Sequence, residues 1–499
     1  MGEWGAVAHM NGSNVATVDK RSFLSALGCS TQAWFARRAS GNTLTPADRW
    51  AFYGGNQVGE AARTQLGPGL MLPRTPPAVA LEATQRMTAQ PATGILFEAS
   101  FQSGAFVARA DALRRVGAAW DLIEVKSGKE PKEGKEVDAG YIDDLAYTAM
   151  VTRGSGLAIG RCTLMLLSRD YRLGAPGELM VEFDVTDAAL ARVEEFATLA
   201  PEIERALLGE QQPAPELKAA CKSCDFFATD CLGRSVETTV FVLPGLSEKR
   251  LNQIKPIVDL HQLPADVELT PRQRQVFDVM RAGRASVMDG LAALDAVVWP
   301  AYYLDFETVS PALPWFVGDA ARGQHTFQYS IHRCDAIGNV VSHQEYLAPN
   351  GGDWRRELVE QLLDALGDRG SIIVFTNFEQ KRLEELAVLF PDLADRVNAA
   401  IARLFDLNDV LKRGYCHPGF NGSTSIKRVL PVMAPDLGYD GLTIGEGMSA
   451  SGVFGLMRVG EYGEETFDEW RRHLLEYCKL DTMAMVRVHE ALGRIRSAQ

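Results

Sequence analysis

Residues 302–309, YYLDFETV, are the most informative stretch of the C-terminal half, because apolar and aromatic residues there flank two carboxylates spaced two positions apart. Such a composition predicts a buried strand, and side chains two apart on a strand share a face. Asp305 and Glu307 should therefore point the same way, while Phe306 faces the opposite layer. Two acids on one face of an apolar strand repel each other strongly unless cations bridge them, so the stretch predicts a metal site.

Further acids follow this strand at positions that can complete the site. The tripeptide NFE, which ends at Glu379, comes directly after an apolar strand, and Tyr477-x-x-x-Asp481 has the spacing that puts both side chains on one helix face. Four acids gathered in this way suit two-metal cleavage of a phosphodiester, with ions ~4 Å apart and a tyrosine positioning the attacking water. Asp406, in ARLFDLNDV, is an alternative to Glu379 as the third acid.

This constellation, together with the predicted order β-β-β-α-β-α from residue 302 and a closing helix over residues 465–494, resembles the DEDD exonucleases of the RNase H-like fold, in their tyrosine-bearing class. The resemblance implies that these acids bind Mg²⁺ or Mn²⁺, that Tyr477 is catalytic, and that strands are trimmed from a 3′ end. The family normally has aspartate as its third acid, where this sequence offers Glu379. The alternative is an RNase H-like scaffold without metal.

A second group of charged residues lies upstream, on a predicted three-stranded meander over residues 94–101, 105–113 and 119–127. Asp111 ends one strand, and Glu124 and Lys126 share a face of the next. Carboxylate oxygens suit a hard cation and a neighbouring lysine can activate a water, so the group is chemically complete for phosphodiester cleavage. An exposed, salt-bridged hairpin is the alternative.

The predicted order α-β-β-β-α-β over residues 49–167 and this grouping resemble the RecB-like branch of the PD-(D/E)xK nucleases. The resemblance implies that Asp111 and Glu124 bind metal and that Lys126 is catalytic. Glu60, on the preceding helix, would replace the family's histidine ligand. The family's Gln-x-x-x-Tyr motif reads Asp143-Asp144-Leu145-Ala146-Tyr147 here, without the glutamine. Downstream, residues 182–208 predict a helix.

A cysteine group follows this part of the chain. Three cysteines are arranged as Cys221-x-x-Cys224-x6-Cys231, and Cys29 is the candidate for a fourth ligand. Four thiolates suit either tetrahedral zinc or a cubane iron–sulfur cluster, and their spacing does not distinguish the two. The arrangement resembles RecB-like nucleases of the AddB and CRISPR-associated kind, in which four such cysteines hold a 4Fe–4S cluster. That resemblance implies a 4Fe–4S cluster acting as a structural brace, with structural Zn²⁺ as the alternative. The other cysteines are predicted to be buried apolar residues: Cys162, Cys334, Cys416 and Cys478.

The composition fits an intracellular protein of two domains. A chain of 499 residues is too long for one ordinary hydrophobic core, and no apolar run approaches the ~20 residues of a membrane span. The N-terminus has no export signal, so we expect a soluble, cytoplasmic protein with no membrane partner. A net charge of −13 argues against coating nucleic acid by bulk electrostatics, but local basic stretches at residues 126–135 and 249–250 can contact phosphates.

We therefore expect an α/β protein of two domains joined by a short helical connector. A PD-(D/E)xK, restriction-endonuclease-like domain with the four cysteines would cover residues 20–234, the connector 235–298, and an RNase H-like DEDD exonuclease domain 299–497. The expected activity is metal-dependent hydrolysis of DNA, single-stranded or branched, in repair, recombination or defence, with RNA as a second candidate substrate. The sequence lacks a P-loop, so any helicase would be a separate protein. The rival hypothesis is a nucleic-acid-binding scaffold in which one or both sites are inactive.

Overall fold

The computed structural model describes residues 16–39, 41 and 43–498. The chain divides into two compact units. The first comprises the described part of residues 1–42 together with Tyr53–Glu216 and Ala312–Arg322, and the second comprises Thr43–Phe52, Leu217–Pro311 and the chain from Gly323 onward. Each contains a mixed sheet with helices, which confirms the α/β class. The residues at which one unit ends and the other begins differ from the ends of the predicted domains, which were 20–234, 235–298 and 299–497.

The first unit is built on a six-stranded mixed sheet whose strands lie in sequence order. The strands are β1 (Leu70–Met71), β2 (Ile95–Ser103), β3 (Phe106–Val116), β4 (Ala119–Lys129), β5 (Ile159–Leu167) and β6 (Met180–Asp184). The pairs β1–β2 and β4–β5 are parallel, and the other neighbouring pairs are antiparallel. The helices in this part of the chain are α1 (Lys20–Ala36), α2 (Pro46–Leu66), α3 (Pro77–Thr88), α4 (Ala139–Gly154) and α5 (Thr186–Leu208).

One boundary predicted in this unit is wrong. The helix predicted over residues 182–208 begins only at Thr186, because Met180–Asp184 forms strand β6 along β5. Burial alternates from Val181 to Asp184, as expected of a strand with one covered face. The Asp184 carboxylate then accepts a hydrogen bond from the Thr186 amide (3.0 Å), which turns the chain into the helix.

The core of the first unit joins α1, α4 and α5 through aromatic packing. The ring of Phe23 lies 5.0 Å from that of Tyr147 and 5.2 Å from that of Phe196, and all three are fully buried. Burying one such side chain stabilises the fold by about 1.5–3 kcal/mol. The Tyr147 hydroxyl donates to the carbonyl of Val18 (2.7 Å), so Tyr147 serves the core, while Asp143 of the same motif pairs with an arginine of α5.

The second unit contains a five-stranded sheet in the order β10-β9-β8-β11-β12. These strands are β8 (Ala301–Val309), β9 (His325–Ala336), β10 (Asn339–Leu347), β11 (Ile372–Val374) and β12 (Leu404–Asp406). The first three form an antiparallel meander, and β11 and β12 extend the sheet in parallel from β8. Two short strands, β7 (Ser286–Val287) and β13 (Tyr415–Cys416), pair antiparallel.

Helices surround this sheet and precede it. They are α6 (Glu248–Ile254), α7 (Pro271–Ala282), α8 (Arg355–Leu366), α9 (Phe378–Leu389), α10 (Ala394–Ile401), α11 (Leu407–Gly414), α12 (Ile426–Met433), α13 (Gly447–Arg458) and α14 (Phe467–Ser497). The predicted connector contains α6 and α7. A Thr270–Gln273 capping box starts α7, and Gly283 ends it in the left-handed conformation that glycine adopts most easily.

Helix α14 packs on β8 and β9. Tyr303 of β8 is buried and its hydroxyl hydrogen-bonds His489 of α14 (2.8 Å). Because side chains alternate along a strand, Asp305 and Glu307 lie on the face of β8 that carries Tyr303. Within the described residues, no helix is both long and apolar enough to cross a membrane.

Candidate metal sites

The predicted acids of the second unit meet at strand β8. Asp305 and Glu307 on β8 and Asp481 on α14 each place a carboxylate oxygen within 4.8 Å of the other two. Glu379, at the start of α9, is buried and close enough to raise the pKa values of Asp305 and Glu307. The structure therefore brings all four predicted acids into one cluster, which we call the β8 site.

The β8 site is electrostatically strained without a cation. Burial, and then the charges of Asp481, Glu307 and Glu379, hold the pKa of Asp305 well above its usual range. Burial, with the charges of Asp406 and Asp481, raises the pKa of Glu379 to about 8. Among the described residues, Glu379 Oε2 has no hydrogen-bond partner although it is buried. An unsatisfied carboxylate oxygen in an all-carboxylate donor set fits a hard divalent cation such as Mg²⁺ or Mn²⁺.

Two tyrosines and a lysine adjoin the β8 site. The Lys427 ammonium donates to the Tyr477 hydroxyl (3.1 Å) and to the Gly445 carbonyl (2.6 Å), and it lies over the rings of Tyr477 and Tyr439. The Tyr439 hydroxyl donates to Asp481. Burial and the acids raise the pKa values of both tyrosines, so their hydroxyls stay protonated.

Sequence reasoning missed Lys427 and Tyr439. The one available signal was the lysine within NGSTSIKRVL, residues 421–430, a segment of small polar residues that leads into an apolar one. Lys427 follows the first residue of α12, and its side chain reaches the acids only because α12 packs against α14. That packing joins residues fifty positions apart and leaves no local pattern.

Asp406 and Cys478 also lie close to acids of the β8 site. Asp406, the alternative third acid, caps α11, because its Oδ1 accepts a hydrogen bond from the Asp409 amide (3.1 Å). Glu379 therefore fits the third position better than Asp406 does. Cys478 is buried as expected, and its thiol donates to Asp305 Oδ2 at 3.5 Å, so it also contacts the site.

The predicted acids and lysine of the first unit also come together. Asp111 Oδ2 accepts from the Val125 amide (2.8 Å), and the Lys126 ammonium donates to Glu124 Oε1 (3.0 Å) and to Asp144. A second ammonium, from Lys20 of α1, lies 2.6 Å from Glu124 Oε1. We call this group the β4 site.

The charges of the β4 site are less strained than those of the β8 site. Burial and the charge of Glu124 raise the pKa of Asp111 to about 7. Burial also opposes ionisation of Glu124, but attraction to Lys20 and Lys126 outweighs it and lowers the Glu124 pKa. Within the described chain, Glu124 Oε2 is buried without a hydrogen-bond partner. Two carboxylates with one oxygen unsatisfied again fit a hard cation.

A cleft of about 540 Å³ opens at the β4 site and is lined by Asp111, Lys126 and the predicted ligand Glu60. Glu98 of β2 also lines it and was not predicted. Glu98 has φ 61°, a left-handed conformation that costs a non-glycine residue about 1–2 kcal/mol, and it is held by Arg74 at 2.7 Å. The cleft is thus lined by three acids, and the strained backbone of Glu98 left no recognisable signal in the sequence.

None of the four cysteines of the predicted cluster forms a disulfide bond within the described residues. Cys29 interrupts α1 with the non-helical angles φ −159° and ψ 106°, in the first unit. Cys221, Cys224 and Cys231 lie in the second unit, within short turns in which the Cys224 amide donates to the Cys221 carbonyl (3.3 Å). Thiolates suit a soft metal or an iron–sulfur cluster, but within the described residues the group of metal-binding side chains that the structure brings together contains no cysteine. The remaining cysteines are buried, as predicted: Cys162, Cys334, Cys416 and Cys478.

The fold and these sites define an α/β protein with two carboxylate clusters suited to divalent cations. Residues 302–425 match the family model described as domain of unknown function (DUF2779). Among curated protein sequences, none is significantly similar to this chain. One similar solved structure is described as "Crystal structure of SSO0001"; it has 16% identity and a TM-score of 0.17, and the match covers 42% of this chain and 92% of that chain.

Proposed function

We propose that the protein is a metal-dependent nuclease that hydrolyses phosphodiester bonds of DNA, with RNA as a second candidate substrate. The observation that carries the proposal is the β8 site, where four acids, three of them buried and Asp305 half-buried, gather beside a protonated tyrosine. A sheet with three antiparallel strands followed by two parallel ones supports the resemblance to RNase H-like DEDD exonucleases. By that resemblance, the β8 site trims strands from a 3′ end.

At the β8 site, Asp305, Glu307, Glu379 and Asp481 would hold Mg²⁺ or Mn²⁺. When bound, two such cations supply Lewis-acid polarisation of the phosphodiester and neutralise charge that develops on its oxygens. Tyr477 keeps its proton, so its hydroxyl can donate a hydrogen bond to the attacking water or to Asp481. Lys427 fixes the position of that hydroxyl through its own hydrogen bond.

At the β4 site, Asp111 and Glu124, with Glu60 and Glu98 on the cleft wall, would hold a divalent cation for a RecB-like nuclease activity. Lys126 would orient water or phosphate from its place beside Glu124. The thiols of Cys29, Cys221, Cys224 and Cys231 would hold a 4Fe–4S cluster, or structural Zn²⁺, as a brace without redox catalysis. A cytoplasmic role in repair, recombination or defence, on single-stranded or branched DNA and with a separate helicase, belongs to the same proposal.

Degradation of end-labelled single-stranded DNA and RNA by anaerobically purified protein, with Mg²⁺ or Mn²⁺, tests the proposal. Asp305→Asn should abolish 3′ trimming, whereas Lys126→Ala should spare it and remove a distinct set of products. Asp335→Asn, a matched change at an exposed aspartate of β9, should cut like the wild type.

Two outcomes would contradict the proposal in different ways. If Lys126→Ala loses all activity, the two sites do not act separately. If the wild type cuts neither polymer but still binds it, the protein is a nucleic-acid-binding scaffold.

A further inference from the structure

Four cationic side chains gather beside the β4 site, all within the first unit. Lys129 ends β4, Arg169 and Arg172 follow β5, and Arg322 ends the segment Ala312–Arg322. Three separate stretches of chain supply them. Of the four, only Lys129 lies in a stretch of sequence that is rich in basic residues. The group therefore forms only when the chain folds, and we call it the basic cluster.

Hydrogen bonds hold the arginines of the basic cluster in place. Arg322 donates to the Ser127 carbonyl (2.8 Å) and hydroxyl (2.6 Å), Arg169 donates to the Glu130 carbonyl (2.6 Å), and Arg172 donates to the Arg169 carbonyl (2.6 Å). These acceptors are neutral. The guanidinium groups are therefore positioned while their charges remain available to an anion.

None of the four side chains of the basic cluster forms an ion pair with a carboxylate in the described part of the chain. The nearby Glu130 carboxylate instead accepts hydrogen bonds from the Ser168 hydroxyl (3.2 Å) and the Arg169 backbone amide (2.6 Å). Burial, and then repulsion from Arg169, Arg172 and Arg322, lowers the pKa of Lys129. Such mutual repulsion is unusual in a chain of net charge −13, and a bound anion would relieve it.

The basic cluster adjoins the cleft of the β4 site. Ser127, which Arg322 contacts, lines that cleft beside Lys126. A polymer whose scissile phosphate reached Lys126 would therefore pass its neighbouring phosphates close to Arg322 and Lys129. Arginine suits this role because its planar guanidinium binds phosphate oxygens in pairs.

We propose that Lys129, Arg169, Arg172 and Arg322 form a phosphate-binding surface that holds the backbone of a nucleic-acid strand at the cleft of the β4 site. The proposal rests on the proposed nuclease function and adds to it the surface by which the substrate is held. Its contacts are with phosphates, so binding should depend on salt and not on base sequence.

The test is binding of a fluorescein-labelled single-stranded oligonucleotide to the full chain, followed by anisotropy between 50 and 200 mM salt, with a chelator to prevent cleavage. The variant Lys129→Gln/Arg172→Gln removes two charges and leaves the Arg322–Ser127 contact intact. Each lost phosphate contact should make the slope of log K against log salt less steep by about 0.7. At 0.1 M salt, with 1 M salt as the reference, this change corresponds to about fivefold weaker binding. The double variant should bind about 25-fold more weakly.

Two comparison proteins make the result specific. Arg86→Gln/Arg153→Gln removes two exposed arginines from α3 and α4 of the same unit and should keep the wild-type slope. Lys129→Arg/Arg172→Lys keeps both charges and should restore binding, which separates a charge effect from misfolding.

The results of this experiment distinguish a failure of the proposed phosphate-binding surface from a failure of the proposed nuclease function. If the wild type binds and the Lys129→Gln/Arg172→Gln variant has an unchanged slope, the basic cluster does not hold phosphate. An equal loss in the Arg86→Gln/Arg153→Gln protein would overturn the proposal as well, because it would show a response to net charge alone. If the wild type binds no polynucleotide at any salt concentration, the proposed function fails together with this surface.

Discussion

Replacing Glu379 with glutamine should stabilise the protein in the absence of divalent cations. Glu379 is buried beside other acids, and its Oε2 has no hydrogen-bond partner among the described residues. Glutamine keeps the shape of the side chain and removes its charge. The change therefore relieves repulsion at the β8 site while deleting one candidate ligand.

The size of this effect follows from the pKa of Glu379, which is 4.5 for an ordinary glutamate and about 8 in the fold. Well below pH 4.5 the carboxyl group is protonated in both the folded and the unfolded chain, so it does not affect stability. As the pH rises, the unfolded chain ionises first, and the free energy of unfolding decreases until the folded group also ionises near pH 8. At pH 7 the destabilisation is on the order of 3 kcal/mol, which Glu379→Gln should remove.

Urea unfolding of wild type and Glu379→Gln in a chelating buffer, at pH 5, 7 and 8.5, measures this effect. The stability gap in favour of the variant should grow from about 1 kcal/mol at pH 5 to about 3 kcal/mol at pH 7. Added Mn²⁺ should stabilise the wild type by mass action and the variant much less.

Glu384→Gln is the matched control, because Glu384 is exposed on the same helix, α9. An exposed substitution of this kind should change stability by less than about 0.5 kcal/mol at every pH. A stability gap between Glu379→Gln and wild type that stays constant from pH 5 to 8.5 would contradict this prediction, because the pKa of Glu379 would then be the same in the folded and the unfolded chain.

Two other predictions concern the β8 site and the cysteines. Lys427→Met should lower kcat for 3′ trimming by about 10- to 100-fold with KM little changed, since a hydrogen bond from a charged donor is worth about 1.5–3 kcal/mol. Lys427→Arg should retain part of the activity. Cys224→Ser should abolish bound iron and sulfide, or bound zinc, in anaerobically purified protein, because a four-thiolate site loses a ligand.

Each of these two predictions has its own control variant and its own contradicting result. Lys412→Met, at an exposed lysine of α11, should leave trimming unchanged, and a rise in KM alone for Lys427→Met would show that Lys427 binds substrate instead of positioning Tyr477. Cys162→Ala should retain the metal, since Cys162 is buried in β5. Full metal content in Cys224→Ser would remove Cys224 from the ligand set.

Local periodicity was enough to place much of the β8 site. A spacing of two on a strand aligned Asp305 with Glu307, and a spacing of four on a helix aligned Tyr477 with Asp481, because the repeats of strand and helix are constant. The same reasoning predicted the β2–β4 meander that carries Asp111, Glu124 and Lys126. The strand β6 was missed, because five residues beside a long helical pattern carry too little signal to override it.

The amino-acid sequence alone was enough to predict the type of the elements that carry the acids, and to show which of those acids face the same way. Three features appear only once the chain is folded: Lys427 and Tyr439 adjoin Asp481, Glu98 lines the cleft in a left-handed conformation, and the basic cluster forms. Alignment along one element depends on backbone geometry, which repeats every few residues. Contacts between elements depend on how whole helices and strands pack, and no short stretch of sequence encodes that packing.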